Sequence, residues 1–286
     1  MEVLSPDKAS KWVTNSNEAV QIRLVSGANP HGIQSALHKI NTTSVGDDSL
    51  DQDSEGLESI DLVQFHPVFT YPIYGTQERI FGYKGLHVDI NVSAGSLRTQ
   101  MRVRYSKRVE DMESTSLVKL KSDDVYGPIR KILPDGKGAD MEPAASLVRR
   151  YGQQHSLTEY IDTLGSIDLI SNEEEFARVV AEDTEEFRPM GSKIHEYRLE
   201  DSSGSVFEVY ENSFSSEKFK QFHSRMQPFI LFFIEGGTFI DTDDERWRVY
   251  TLFEKWDFEG STGYSFIGYL TMYRFFHWPD KLRARI

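Results

Sequence analysis

Residues 215–240 read SSEKFKQFHSRMQPFILFFIEGGTFI, and Phe219, Phe222, Met226, Ile230 and Phe233 recur there at spacings of three and four. That is the period of a helix with one apolar stripe. Pro228 lies inside the stripe. It lacks an N–H to donate and its ring clashes with the preceding turn, so the region is expected to kink or to divide into two helices. Ser215 or Ser216 is placed to cap its start. The flanks are strand-like. SVFEVYENSF precedes it, and an acidic turn, DTDDER, follows. Residues 247–256 (WRVYTLFEKW) and 265–278 (SFIGYLTMYRFFHW) read as two strands joined by the turn DFEGSTG. A Pro-Asp turn then leads into KLRARI, the opening of another strand. The order is strand, helix, helix, strand, strand, and a strand just begun.

The first part of the chain has a different texture. Residues 12–24 end in a strand. Residues 44–59 carry six acids and no base among Ser and Gly, which reads as a looped or disordered insert. FHPVFTYPIYG is aromatic with two prolines, a packed but irregular segment. RIFGYKGLHVDINV reads as a strand around a glycine turn, and residues 100–105 alternate as its antiparallel neighbour. DDVYGPIRKIL predicts a short capped helix. The Gly-Lys-Gly of PDGKGAD fits no phosphate-loop spacing and reads as a loop. Residues 171–187 predict an acidic helix, capped by Ser171 or Asn172, with a solvated carboxylate face. A composition shift at 190–196 marks a boundary between residues 1–190 and 191–286.

Composition removes several classes. There are no cysteines, hence no disulfide, thiolate metal site or cysteine nucleophile. The eight histidines show no H-x-x-x-H or H-E-x-x-H spacing, and no G-x-S-x-G is present. The net charge of −13 opposes direct binding of nucleic acid. It suits a basic partner such as a Lys/Arg-rich peptide, or simply a soluble surface. No apolar run approaches the roughly 20 residues of a membrane-spanning helix, and MEVLSPDKASKW lacks a secretory pattern.

FTYPIYG and IFGYKGL in the first part, with FIDTDDERWRVYTLFEK and GYLTMYRFFHWPDKLRAR in the second, resemble the catalytic subunit of type B histone acetyltransferases. These belong to the GCN5-related N-acetyltransferase superfamily. The resemblance spans residues 12–286 and is weakest in the acidic insert and around 142–186. It implies an α+β chain: an N-terminal mixed α/β domain (1–190, with 44–59 an acidic loop), then the first half of the acetyltransferase fold (191–286). It also implies acetyl transfer from acetyl-CoA to a lysine in the N-terminal tail of new histone H-4. A WD-repeat histone chaperone is the implied partner, and nucleus and cytoplasm the implied locations.

A lysine ammonium with a reference pKa of about 10.4 must lose a proton before attacking a thioester, so a carboxylate near the amine is needed. Glu235 follows FILFFI and precedes Gly236-Gly237. It is either partly desolvated against the helix end, which would raise its pKa, or exposed on the last turn. The family's matching Glu lies in the peptide site and has been considered as a base. By the same resemblance Trp247, Tyr273, Arg274 and Phe275 line the groove for the tail; read from the residues alone, Trp247 and Tyr273 are core aromatics. The segment of Gly75, Thr76, Gln77 and Glu78 matches one that contacts the tail with carboxylates. Thr76 replaces an acidic position there, so contact with a basic side chain is weaker.

In the family the strand beginning near RARI continues, and its backbone and a Q-x-x-G-x-G turn hold acetyl-CoA. A further carboxylate follows on the next strand. Neither occurs in this sequence. The chain is therefore expected to hold the histone side of the site without the cofactor side. It is either part of an active acetyltransferase or a binding module without catalysis, with an open strand edge and an uncovered sheet face. An acceptor other than a histone is a third reading.

Overall fold

The computed structural model describes residues 10–26, 61–111, 120–132, 170, 173–200, 205–258, 260–277 and 281–285. Residues 44–59, the PDGKGAD loop, Ser171 and Asn172 lie outside them. In chain order the first part runs β1 (Val13–Asn15), α1 (Ser16–Ala19), β2 (Val20–Ser26), β3 (Asp61–Phe65), α2 (Tyr71–Tyr74), β4 (Arg79–Phe81), β5 (Tyr83–Lys84), β6 (His87–Ser93), β7 (Thr99–Arg104) and β8 (Lys107–Arg108). Helices α3 (Tyr126–Ile132) and α4 (Glu173–Glu186) follow.

Four of these strands form a mixed sheet in the order β3-β2-β6-β7. β2 and β6 are parallel, and the other two pairings are antiparallel. The β6–β7 pairing is the one the alternation of residues 100–105 predicts. Val88, Ile90 and Val92 of β6 enter the core, while Asp89, Asn91 and Ser93 are equally buried on the opposite face. A buried polar face must be paired internally. Arg23 Nη1 and Arg104 Nε each stand 2.7 Å from one oxygen of Asp89, and Asn91 Nδ2 donates to Gln100 Oε1 at 2.7 Å. Burial alone would raise the Asp89 pKa. The hydrogen bond from Arg104 and the charges of both arginines outweigh it, and the carboxyl sits below its usual range.

Helices α3 and α4 are capped and docked by their own acids. Asp124 Oδ1 accepts from the N–H groups of Tyr126 (3.1 Å) and Gly127 (2.9 Å), giving α3 the cap its sequence predicts. α4 begins with Glu173, Glu174 and Glu175, favourable at a helix N-terminus. Only part of its surface is solvated. Phe176, Val179 and Val180 pack with Val25 and Ile170 in a separate apolar cluster. Buried Asp183 accepts from Ser96 N (2.8 Å) and Ser96 Oγ (2.6 Å), which pins the helix to the β6–β7 turn.

The second sheet is wholly antiparallel. It is built from β9 (Ser192–Arg198), β10 (Val206–Asn212), β11 (Trp247–Phe258), β12 (Ser261–His277) and β13 (Lys281–Arg285), in the order β13-β12-β11-β10-β9. Between β10 and β11 lie α5 (Glu217–Met226) and α6 (Phe229–Phe233). Pro228 divides them as expected, and Ser216 Oγ caps α5 by accepting from Phe219 N at 3.4 Å. Phe219, Phe222 and Met226 are buried, but past Pro228 the stripe changes phase: Leu231 and Phe232 go inside, and Ile230 and Phe233 are half-buried. One apolar cluster joins Val20, Ile22, Val88 and Ile90 of the first sheet to Phe222 and Met226 of α5 and to Phe253 and Phe266 of the second sheet. The architecture is α+β: two main sheets share one core, and the β1/β4 and β5/β8 pairs form separate two-stranded ladders. Truncating a buried phenylalanine of this cluster costs about 3–5 kcal/mol.

One turn and one strand differ from the sequence reading. The β11–β12 hairpin is tighter than a seven-residue DFEGSTG turn: the strands pair to Phe258 and Ser261, with Gly260 at φ 84°. A tight hairpin needs such a left-handed residue, so the polar run is absorbed into the ladder. β9 covers the stretch read as a domain boundary. All seven of its residues are exposed, so it has no apolar alternation to betray it. Ile194, Tyr197, Ile267 and Leu270 of this sheet are exposed apolar side chains. β13 pairs with β12 alone among the described strands. No described helix is long and apolar enough to cross a membrane.

Candidate functional site

The sequence-predicted residues fall into two corners. The first lies where α6 ends. The Phe232 carbonyl accepts from Val68 N (2.9 Å) and Phe69 N (3.0 Å), so the aromatic segment 68–74 is docked on this helix end. Glu235 follows, and the chain reverses at Gly236, whose φ of 64° favours glycine. The Gly236 N–H donates to the Tyr71 hydroxyl at 3.0 Å. The desolvation expected at Glu235 is not present. Its side chain is exposed, as is Ile234 before it, because the turn carries the chain away from the core.

Tyr71 also ties Glu78 to this corner. α2 has Thr70 at its N-cap with no side-chain bond to the helix. Glu78 supplies that bond from the far side of the turn: its Oε1 accepts from Thr70 N (2.7 Å) and Tyr71 N (3.1 Å). The cap holds Glu78 at φ 50°, a left-handed conformation uncommon for a side-chain-bearing residue. The carboxylate read as a contact for a basic tail therefore has structural work of its own. Thr76 and Gln77 are exposed at the tip of the same turn.

The second corner is the start of β11. Trp247 and Tyr273 are direct cross-strand partners, with ring centroids 4.8 Å apart in an edge-to-face arrangement. Both are half-buried, between the core reading and the groove reading. Phe275 lies two residues along the same face of β12, and Arg274 points to the opposite face, where it is exposed. The Arg274 N–H donates to the Arg246 carbonyl at 3.1 Å. Tyr273, Arg274 and Phe275 thus do not form one wall.

Asp244 and Arg246, which sequence reasoning read only as part of an acidic turn, organise this corner. Asp244 Oδ1 accepts from Arg246 N at 3.0 Å, and its carboxylate holds the guanidinium through Nε (2.8 Å) and Nη2 (2.6 Å). The Tyr273 hydroxyl donates to Asp244 Oδ2 at 3.1 Å. The hydrogen bond from Arg246 is the main reason the Asp244 carboxyl is lowered to about 2. Desolvation, followed by that carboxylate, raises the Tyr273 phenol. The one available signal was the Asp-x-Arg-Trp spacing, in which a turn returns the i+2 arginine to the aspartate.

Among the described residues, five of the six helix N-termini are already occupied. Asn15 caps α1, Glu78 caps α2, Asp124 caps α3, three glutamates open α4, and Ser216 caps α5. The N-termini of α1–α5 are thus filled by an acceptor or guarded by negative charge, and α6 follows Pro228 directly with no side-chain cap. Among the described residues no group of three or more His, Asp or Glu could hold a metal ion. A surface cleft lined by Tyr83, Arg108, Lys121, Ser122, Asp123 and Asp124 contains none of the predicted site residues.

Comparison with known proteins bears on these corners. Residues 12–235 match the family described as "Histone acetyl transferase HAT1 N-terminus". The chain is 31% identical over 254 residues to the histone acetyltransferase type B catalytic subunit of Mus musculus, covering 88% of this chain and 52% of the relative. The values for the Homo sapiens protein of that name are the same. That of Mycosarcoma maydis is 30% identical over 297 residues, covering 96% of this chain and 52% of the relative. The chain spans about half the length of these curated relatives.

Proposed function

Because the chain belongs to the type B histone acetyltransferase catalytic-subunit family, a family of acyltransferases, we propose that it supplies the protein-substrate side of an acetyl-transfer site. The acceptor is a lysine in the N-terminal tail of histone H-4, and acetyl-CoA is the co-substrate. The β10-α5-α6-β11-β12 order is the first half of a GCN5-related N-acetyltransferase domain in this reading. A WD-repeat histone chaperone is the proposed partner, and the nucleus and cytoplasm the proposed locations.

The observation that carries this reading is the Trp247–Tyr273 pair with Asp244 beneath it. An aromatic wall backed by a carboxylate suits a basic, flexible peptide. Ordering such a peptide costs conformational entropy, and stacking on half-buried rings offsets part of that cost. In this reading Glu235, exposed at the end of α6, is the group that takes the lysine proton, directly or through water. Its carboxylate must be near the amine only when the peptide is bound, so exposure in the free protein is compatible with that role.

A second reading is favoured by the filled helix N-termini. The chain binds the tail or the chaperone and does not itself hold acetyl-CoA. One experiment separates the two: polarisation of a fluorescent histone H-4 tail peptide on the 286-residue chain, with transfer from labelled acetyl-CoA measured in the same sample. Binding with transfer supports the enzyme, and binding without transfer supports the module. No saturable peptide binding refutes the enzyme and the tail-binding module, and leaves only a chaperone-binding module.

A further inference from the structure

Arg246 is an exposed cation seated on an aromatic ring inside the proposed groove. Its guanidinium carbon lies 4.9 Å from the Tyr273 centroid. Two of its nitrogens face the two oxygens of Asp244, so the contact is the planar, bidentate kind that arginine makes and lysine does not. Trp247 also packs against the Tyr273 ring in an edge-to-face arrangement. The Asp244 side chain is only 17% exposed, whereas that of Arg246 is 62% exposed. The receiving groups are fixed by packing and by the tyrosine hydroxyl, and the occupant is mostly in water.

That asymmetry matters. The backbone of Asp244 is held by turn hydrogen bonds to Asp241 and from Trp247, and Trp247 and Tyr273 are paired across the β11–β12 ladder, none of which uses the Arg246 guanidinium. Arg246 follows Asp244 by two residues and reaches it by folding back over the turn. Its exposed ion pair and ring contact are weak, so a second guanidinium can take its place with little penalty.

We propose that Asp244, Tyr273 and Trp247 form a subsite for an arginine side chain of the incoming peptide, occupied in the free protein by the chain's own Arg246. The arginine of the peptide displaces Arg246 and takes over both its stacking and its bidentate contact. This rests on the reading of β11–β12 as a peptide groove, and it adds the side chain that the groove selects.

The test uses two fluorescent peptides in matched arginine and citrulline forms: the histone H-4 tail, and a short Gly-Arg-Gly amide with no histone context. Citrulline keeps the shape and loses the charge. In the wild-type chain each arginine form binds more tightly than its citrulline form. Removing the internal competitor with Arg246→Ala tightens the arginine forms about three- to tenfold, the range expected for losing an exposed ion pair and one ring contact. The citrulline forms are unchanged. Asp244→Asn erases the arginine preference in both backgrounds. If Arg246→Ala instead weakens the arginine forms, or leaves the arginine-to-citrulline ratio unaltered, Arg246 is a brace and the subsite is wrong. The short peptide keeps the two claims separate. Its binding with the expected Arg246→Ala gain, when the H-4 tail does not bind, upholds the subsite and overturns the histone reading. Tail binding that ignores citrulline and Arg246→Ala does the reverse.

Discussion

Replacing His223 by leucine tests how the α5 face is buried. His223 is 1% exposed. Its ring stands 4.8 Å from Phe214, edge to face, and its Nδ1 has no hydrogen-bond partner among the described residues. Burial among rings disfavours the imidazolium and lowers the pKa from 6.5 to about 3. The folded value is depressed, so between the two values the unfolded chain binds a proton that the folded chain does not. Stability therefore falls as the pH drops below 6.5 and is indifferent to this residue above it. For one such group the loss between pH 6 and pH 5 is about 1.2 kcal/mol. Urea unfolding of the wild type and His223→Leu at both pH values measures it as a double difference, which cancels groups common to the two chains. Leucine removes the unpartnered nitrogen and retains an apolar side chain of similar bulk. The expected result is a wild-type decrease exceeding that of the variant by about that amount. Equal decreases would show that His223 is solvated or paired, and that the burial argument for α5 is wrong.

Glu78→Ala removes the carboxylate cap of α2 and should cost about 1 kcal/mol, read as a melting temperature lower by about 2–4 °C. A larger loss of peptide binding than of stability would show that Glu78 also meets the ligand. Asp89→Ala strands buried Arg23 and should destabilise by about 3–5 kcal/mol, measured as a shift in the urea midpoint; an unchanged midpoint would mean the first sheet's polar face is open to water. Glu235→Gln should leave the melting temperature unchanged. In a form of the protein that transfers acetyl, it should lower turnover about 10²–10⁴-fold, whereas undiminished turnover would remove Glu235 from proton transfer.

The sequence by itself determined the elements whose side chains repeat with a period. The α5 stripe, the break at Pro228, the Ser216 cap, the Asp124 cap and the β6–β7 alternation were all legible, because each is set within one or two turns or along one strand. Motif likeness likewise pointed to the family that residues 12–235 match. The tertiary structure decided what has no local period. β9, exposed on both faces, exists as a strand only because β10 offers it a ladder. The burial of Asp89 depends on Arg23, 66 residues away, and α4 buries one side because Ser96 lies over Asp183. The site follows the same division. Glu235, Trp247 and Tyr273 could be named from their neighbours in the chain. That Glu235 is exposed, that Glu78 caps a helix, that Arg274 faces away from Tyr273, and that Arg246 sits on the Tyr273 ring depended on where chain reversal and strand pairing put each side chain. Those contacts join residues separated by 7 to 29 positions, and their energies depend on distance in space, which no pattern along the sequence records.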